Sequence, residues 1–241
     1  PSKVDLDVHV KEATTGSFSA GAGFSTASGV LFNTRVSENN LFGTGRRANL
    51  NIDVGNQINN QILSIDDPRV NDSNFSLGLD LMRTERWLGG DQQFHLFEAR
   101  NSWFHPVFES EWGDIVISDR TSFGYGQSDN EDPFPLFRRY FPGGINSVRG
   151  YRFRRLGPKD ENGHYEDGAK QLVNNAEVIF PLVNSAGFKG VLFYDAGQAF
   201  DDDENIDISK LRLGWGYGIR WASPLGPIRV EIGYPVSPRD G

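Results

Sequence analysis

The stretch LRLGWGYGIRW, residues 211–221, decides how the rest of the sequence is interpreted. It alternates between large apolar residues and residues that are small or charged. The large ones are Leu211, Leu213, Trp215, Tyr217, Ile219 and Trp221, and every residue between them is glycine or arginine. Because successive side chains of a β-strand point to opposite faces, this period of two predicts a strand with one apolar face.

The same period recurs along the chain, for example in residues 47–54, 75–81 and 228–234. Helical periodicity does not persist over any long segment. The sequence therefore predicts an all-β fold. Eleven strands are predicted, at about 16–24, 30–37, 46–55, 60–66, 74–83, 93–104, 113–124, 171–181, 189–197, 210–221 and 227–235.

Two environments could cover the apolar faces: the core of a soluble β-sandwich, or lipid around a transmembrane antiparallel β-barrel. Segments 94–104 and 211–221 are long enough to cross a bilayer when tilted. Aromatic residues near strand ends suit the membrane interface, namely Trp103, Trp112, Trp221 and Tyr234. A mean hydropathy of -0.47 fits a barrel, in which only alternate residues face lipid. These features favour a barrel with the lipid bilayer as a partner, although periodicity alone leaves the sandwich open.

Composition narrows the range of functions. The net charge of -8 argues against nucleic acid as a partner, and the absence of cysteine excludes disulfides and thiolate metal sites. The four histidines are scattered without metal-ligand spacing, and the acidic run 201–207 is typical of a solvated loop. No catalytic motif is present. We expect no enzymatic activity, no catalytic residue, no metal and no cofactor.

The longest predicted connector, residues 125–170, contains GGINSVRGYRFRRLGP at 143–158. Loops of this length are usually functional or disordered. An arginine inside a barrel must be paired, because burial of a lone guanidinium group is costly. Alternation places the carboxylates of Glu177 and Asp195 on inward faces, so Arg149 is predicted to tether the loop to the barrel wall. The alternative is that all four arginines of this motif are exposed to solvent.

Two neighbours of Arg149 are expected to help tether the loop to the barrel wall. Gly150 would allow a sharp turn at the loop tip, and Tyr151 would contact the wall. The remaining arginines, Arg152, Arg154 and Arg155, are predicted to be solvated or to pair with acidic loops.

The sequence VRGY at residues 148–151 resembles the VRGF/Y signature of the BamA/TamA superfamily of outer-membrane assembly and secretion barrels. The resemblance extends to five further segments, residues 17–24, 41–47, 175–182, 193–197 and 221–235. It implies that Val148, Arg149, Gly150 and Tyr151 form a tether. In this family the arginine holds a long extracellular loop inside the barrel, against acidic residues that correspond to Glu177 and Asp195.

The resemblance also bears on domains and strand number. Residues 1–12 resemble the end of a POTRA-like domain, which leaves 13–241 as the transmembrane barrel. Family barrels have sixteen strands, and we expect about four of the central ones to be missing here. Single-chain bacterial barrels usually have an even number of strands. We therefore expect twelve strands, with the closing strand absent from this sequence.

The function implied by the resemblance is assembly of outer-membrane proteins in the bacterial outer membrane. Its partners would be unfolded outer-membrane protein clients and accessory assembly lipoproteins. The first strand, with Phe18, Gly21, Gly23 and Phe24, would form one side of a lateral seam, because glycine weakens strand pairing. A simpler interpretation is that the two glycines only make room for lumen side chains. Other functions left open are a secretion pore and a folded barrel fragment without assembly activity.

Overall fold

The computed structural model describes residues 13–25, 29–55, 59–84, 93–109, 111–129, 133–224 and 226–236. All described strands belong to one antiparallel sheet, in which neighbours in sequence are neighbours in space. In chain order, β1 to β11 are Gly16–Ser25, Gly29–Leu41, Arg46–Gly55, Asn59–Asp67, Phe75–Thr84, Phe94–Phe108, Ile115–Ser128, Lys170–Val183, Phe188–Phe200, Arg212–Ser223 and Gly226–Pro235.

Each of the eleven predicted strands is present, so the all-β prediction is confirmed. The main differences lie at strand ends. β6 continues to Phe108 and β7 to Ser128, each four residues beyond its predicted end. The prediction stopped early because alternation of large apolar residues fades at the ends of these strands. Inter-strand hydrogen bonding does not need that alternation, and the ladder of β6 and β7 runs on as far as the pair Phe94 and Ser128.

The outer face of the sheet is apolar and exposed. Along β10, Trp215, Tyr217 and Ile219 are each about half exposed, and Leu192 and Tyr194 of β9 continue the same face. A contiguous apolar surface of this extent needs an apolar environment. The described strands form one sheet rather than two facing ones. The sandwich alternative, which would bury these residues in a core, is therefore wrong.

The opposite, inner face is polar and is partly covered by the segment between β7 and β8, which we call the long loop (described residues 129 and 133–169). Two clusters of buried apolar residues lie beneath it. One consists of Met82, Phe94, Leu96, Phe134 and Ala169, and the other of Val148, Leu156 and Val173. Both clusters combine strand and loop residues. The long loop therefore supplies part of the core.

Short 3-10 turns occur at Val70–Asp72, Leu136–Arg138, Asn184–Ala186 and Ile208–Lys210. In the ranges that the structure describes, no helix has both the length and the apolar character needed to cross a membrane.

The sheet has two free edges within the described residues. β1 pairs with β2 and β11 pairs with β10, and the sheet order does not join β1 to β11. Closure and the expected twelfth strand therefore stay predictions. Residues 1–12, interpreted as the end of a POTRA-like domain, lie outside the described residues.

Candidate functional site

The candidate site is where the long loop contacts the inner face of the last four strands. Arg149 lies at its centre, with only 6% of its side chain exposed. The two predicted carboxylates come together on it: Nη2 donates to Asp195 Oδ1 at 2.7 Å and Nη1 to Glu177 Oε1 at 2.8 Å. The guanidinium carbon also lies 3.6 Å from the centre of the Phe193 ring. The four arginines are thus not equivalent, and the interpretation in which all are exposed is wrong.

Asp195 is fully buried on β9 and has its hydrogen-bonding capacity filled. Its Oδ2 accepts from the backbone N–H and from Nε of Arg149, at 2.9 and 2.7 Å. Its Oδ1 accepts from Arg149 Nη2 and from Asn175 Nδ2, which is 2.8 Å away. A carboxylate offers about four acceptor sites. This pairing is the fork-like, directional kind that a lysine could not reproduce.

The structure adds two charged residues that sequence reasoning missed. Glu231 on β11 accepts from Arg149 Nη1 at 3.0 Å and is 1% exposed, and Arg220 on β10 donates to both Glu177 and Glu231. We call these five side chains the Arg149 cluster: Arg149, Glu177, Asp195, Arg220 and Glu231. Two guanidinium groups face three carboxylates. The cluster links the loop to all of β8–β11.

A signal for the missed residues was present in the sequence. Alternation already placed Arg220 and Glu231 on the polar faces of two consecutive strands. Had those strands been paired in the hairpin register, in which Gly218 is opposite Glu231, the two side chains would have been brought close together.

Close backbone contacts seat the loop tip on β10 and β11. A Cβ atom on Gly214 would lie 2.1 Å from the carbonyl oxygen of Arg149, and one on Gly233 would lie 2.5 Å from the Gly150 nitrogen. Gly150 has φ of 95°, the positive region predicted for a sharp turn. Glycine at these positions therefore lets two backbones meet.

The other two tether residues also contact the wall. Val148 is completely buried in the cluster with Leu156 and Val173. The hydroxyl of Tyr151 donates to the carbonyl oxygen of Leu213 at 3.1 Å. The contact expected for Tyr151 is present. Of the remaining arginines, Arg154 pairs with Asp167 in the same loop.

The long loop has a second attachment, on β6 and β7, which the sequence did not reveal. The Phe134 ring packs against Gly126, where a Cβ atom would lie 2.4 Å from the ring. The Tyr140 ring packs against Gly124 in the same way, so that a side chain at either glycine would clash. The Tyr140 hydroxyl donates to Glu98 Oε1 at 2.9 Å. Loop segments have no side-chain period from which such contacts could be inferred. The loop is therefore attached to the described sheet at two places, on β6 and β7 and on β8–β11.

Arg139 completes the second attachment by linking it to the β9–β10 loop. Its Nε donates to the Phe134 carbonyl oxygen at 2.9 Å, and its Nη atoms reach Asp201 and Asp202. Asp202 in turn accepts from the backbone N–H of Phe134 at 2.6 Å. Part of the acidic run 201–207, predicted to be solvated, thus has a structural partner.

The charge states of two loop residues follow from these contacts. Burial alone would lower the pKa of Arg149, but hydrogen bonds and charge from Asp195, Glu231 and Glu177 raise it above its ordinary value. Burial, followed by the charge and hydrogen bond of Glu98, raises the pKa of Tyr140 above its ordinary value of 10.0. Arg149 therefore stays charged, and Tyr140 stays a neutral donor.

The predicted seam strand, β1, has a different environment. The outer-face residues Phe18 and Phe24 are 70% and 76% exposed. Among the described residues, nothing lies within 4 Å of a Cβ built on Gly21 or Gly23. The suggestion that these glycines make room for lumen side chains has no support there. In the described ranges, no loop residue is seen to support the inner face of β1 at Gly21 or Gly23, whereas β11 is held by the loop through Glu231.

The described part of the chain holds no group of three or more His, Asp or Glu side chains placed to bind a metal ion. The carboxylates of the Arg149 cluster accept hydrogen bonds from arginine. The chemistry that this arrangement supports is ion pairing, which positions the loop.

A single antiparallel sheet with an apolar outer face and a polar inner face filled by a loop defines an outer-membrane protein of the β-barrel type. The chain belongs to the Omp85 superfamily, because the model of the Omp85 superfamily domain matches residues 85–241. This confirms the resemblance found from the sequence. It also agrees with the predicted location in the bacterial outer membrane.

Individual relatives give the same assignment. The chain is 26% identical to outer membrane protein assembly factor BamA of Nitratidesulfovibrio vulgaris over 328 aligned residues, which cover 99% of this chain and 42% of the relative. It is 23% identical to the protein of that name from Neisseria meningitidis serogroup B, covering 98% of this chain and 46% of the relative. The chain thus spans less than half the length of these relatives.

A solved structure supports the fold. The chain is similar to the crystal structure of BamA from Haemophilus ducreyi lacking POTRA domains 1–3, with a TM-score of 0.54 and 17% identity. The match covers 95% of this chain and 68% of the other. The alignment with the Nitratidesulfovibrio relative is longer than the 241 residues of this chain, so that relative carries additional residues between matched segments.

Proposed function

We propose that this chain assembles outer-membrane proteins by accepting their strands at a seam between its first and last strands. The observation that carries the proposal is the asymmetry of the two sheet edges. The Arg149 cluster joins β8–β11 to the loop, whereas β1 is bonded to β2 alone within the described sheet. The relatives named as assembly factors support the same role.

The physical basis is the cost of unpaired backbone in lipid. An exposed strand edge in hydrocarbon leaves N–H and C=O groups unsatisfied, at several kcal/mol for each group. An incoming strand of an unfolded outer-membrane protein removes that cost by adding itself to the edge. Glycine at positions 21 and 23 lowers the cost of separating β1 from its neighbour. The seam therefore opens on the β1 side.

The loop has a supporting role in this proposal. A rigid β8–β11 unit confines opening to the weaker edge, because distortion of that unit would break the buried ion pairs of Arg149. Removal of one partner from such a pair is strongly destabilising. The tether thus directs the motion without contacting the client.

A crosslinking experiment tests the seam. The chain has no native cysteine, so an engineered pair reacts alone. Ala20→Cys on β1 is combined with Ile232→Cys on β11 and joined by a bismaleimide whose spacer spans the roughly 10 Å that the expected closing strand would occupy, which pins the two sides of the seam together. We expect the pinned protein in liposomes to stop folding a urea-unfolded barrel client, as measured by the gel shift of the folded client.

The matched control is Ala20→Cys with Thr34→Cys. These residues are opposite each other on β1 and β2, so the reagent crosslinks the same β1 position without bridging the seam. This control should retain full activity. Normal client folding by the pinned protein, with crosslinking verified by mass, would refute the seam.

Two rivals remain to be separated by the same preparation. A folded barrel without assembly activity would leave client folding in liposomes at the rate of empty liposomes. A secretion pore would conduct ions once the loop moves, although a lumen narrowed by fewer strands argues against export. Planar-bilayer conductance distinguishes the pore from the assembly factor. Addition of accessory assembly lipoproteins to the liposome assay tests whether they are partners.

A further inference from the structure

A basic cavity of about 570 Å³ lies between the long loop and the ends of β9 and β10. This is within the size range of small-molecule sites. Its charged lining consists of five cationic side chains and one carboxylate: Arg152, Arg155, Lys159, Lys210, Arg212 and Glu204. The chain as a whole carries a net charge of -8. The cavity is therefore strongly positive within an acidic protein.

Three of these cations have no counter-charge among the described residues. Arg152, Arg155 and Lys159 form no ion pair with a carboxylate in the part of the chain that the structure describes. Arg155 and Lys159 both lie over one ring, that of Tyr165, at 5.4 and 4.7 Å from its centre. Two cations share one aromatic ring, which supplies much weaker stabilisation than an anion would.

Four carboxylates of the two loops that border the cavity are committed to other groups. Asp201 and Asp202 pair with Arg139, and Asp167 pairs with Arg154. The lining carboxylate, Glu204, pairs with Lys210 at 3.0 Å. These four carboxylates therefore do not neutralise Arg152, Arg155 or Lys159.

The lining also contains an unsatisfied polar atom. Gln198 Nε2 donates to the Gly157 carbonyl oxygen at 3.3 Å, whereas its buried Oε1 lacks a hydrogen-bond partner among the described residues. Buried polar atoms are normally satisfied by protein, water or ligand. An amide oxygen only accepts hydrogen bonds, so it does not itself favour an anion, and the case for an anionic ligand rests on the cations.

We propose that this cavity binds a phosphate-bearing anion. Guanidinium groups match the oxygens of a phosphate in bidentate geometry, and several positive charges favour a multiply charged ligand over a monocarboxylate. The phosphate belongs either to a free anion or to a lipid head group, since both present the same oxygens. The proposal is independent of client assembly, because it involves neither the seam nor the Arg149 cluster.

Binding of inorganic pyrophosphate to the full chain in zwitterionic micelles tests the proposal, with 31P NMR line broadening as the readout. The test variant is Arg152→Gln with Arg155→Gln, both on exposed side chains. The matched control is Arg69→Gln with Lys189→Gln, which removes two exposed charges away from the cavity. We expect saturable binding that weakens about tenfold or more in the test variant, since two charge-assisted hydrogen bonds to the phosphate are lost. Binding by the control should match that of the unmodified chain.

Three results would overturn the proposal: no saturable binding, equal weakening in both double variants, or tighter binding of oligoglutamate than of pyrophosphate. The last would identify an acidic peptide as the ligand. The source of the phosphate is distinguished in nanodiscs. Displacement of pyrophosphate by phosphatidic acid in the bilayer supports a lipid head group, and displacement by soluble phosphate alone supports a free anion.

Discussion

Arg149 is the residue on which the arrangement of the long loop depends most. It donates side-chain hydrogen bonds to three carboxylates on three different strands, and one backbone bond to the same Asp195. The cost of burying its guanidinium group is offset because the charges of the Arg149 cluster pair with one another. The loop tip therefore has one docked position, fixed by directional bonds rather than by general attraction.

Replacement of Arg149 by alanine should destabilise the protein by about 3–5 kcal/mol, because it leaves buried carboxylates short of a counter-charge. We expect this variant to unfold at a lower urea concentration in micelles. We also expect trypsin to cleave its long loop faster. Arg149→Lys should recover part of the loss, since it restores charge but not the fork.

The matched control is Arg154→Ala in the same loop. Its ion pair with Asp167 involves a side chain that is 52% exposed. Pairs of this kind contribute about 0–1 kcal/mol. An Arg149→Ala protein as stable and as protease-resistant as Arg154→Ala would contradict the tether.

Tyr140 predicts a pH dependence. Its pKa is raised by burial and by Glu98, so its contribution to stability is fully present below the ordinary value of 10.0 and is lost as pH rises further. We expect the stability advantage of the unmodified chain over Tyr140→Phe to shrink above about pH 10. Urea unfolding across alkaline pH measures this. A constant difference from neutral to alkaline pH would show that the phenol does not ionise on unfolding.

At the scale of elements, glycines near the two ends of the sheet have different structural roles. Gly214 on β10 is needed because the loop backbone lies against it, whereas Gly21 on β1 faces open space among the described residues. The same residue type therefore serves close packing in one strand and weak pairing in the other.

Gly214→Ala should cost about 1–3 kcal/mol, as overpacking of a tight contact does. Gly21→Ala should leave stability unchanged or raise it by up to about 1 kcal/mol, because the position is uncrowded and glycine within a strand costs roughly that much relative to alanine. Thermal unfolding of both variants in micelles gives the comparison. Equal costs at the two positions would mean that the loop does not press on β10.

Strands were predictable, and loop contacts were not, for a physical reason. The period of two is enforced in every strand by lipid on one side and a polar interior on the other, and it placed Glu177 and Asp195 on the inner face. Partners across a hairpin, such as Arg220 and Glu231, require register as well as period. The Phe134 and Tyr140 contacts depend on how an aperiodic loop folds, which local pattern does not encode.

At the scale of the whole molecule, the sheet is stiffened unevenly. The long loop joins β6 and β7 to β8–β11 by buried aromatic and charged contacts. β1 and β2 receive no comparable support from the described loop residues. A family resemblance predicted a seam at this strand, and the distribution of contacts gives a mechanical reason for it to open there.

Hydrogen exchange resolved to individual strands, on the chain in nanodiscs, tests this asymmetry most directly. We expect amides of β1 to exchange at least about tenfold faster than those of β10 and β11, a difference of about 1.4 kcal/mol in local opening. Arg149→Ala should accelerate exchange in β10 and β11 while leaving β1 unchanged. Equal protection of β1 and β11 in the unmodified chain would contradict the account.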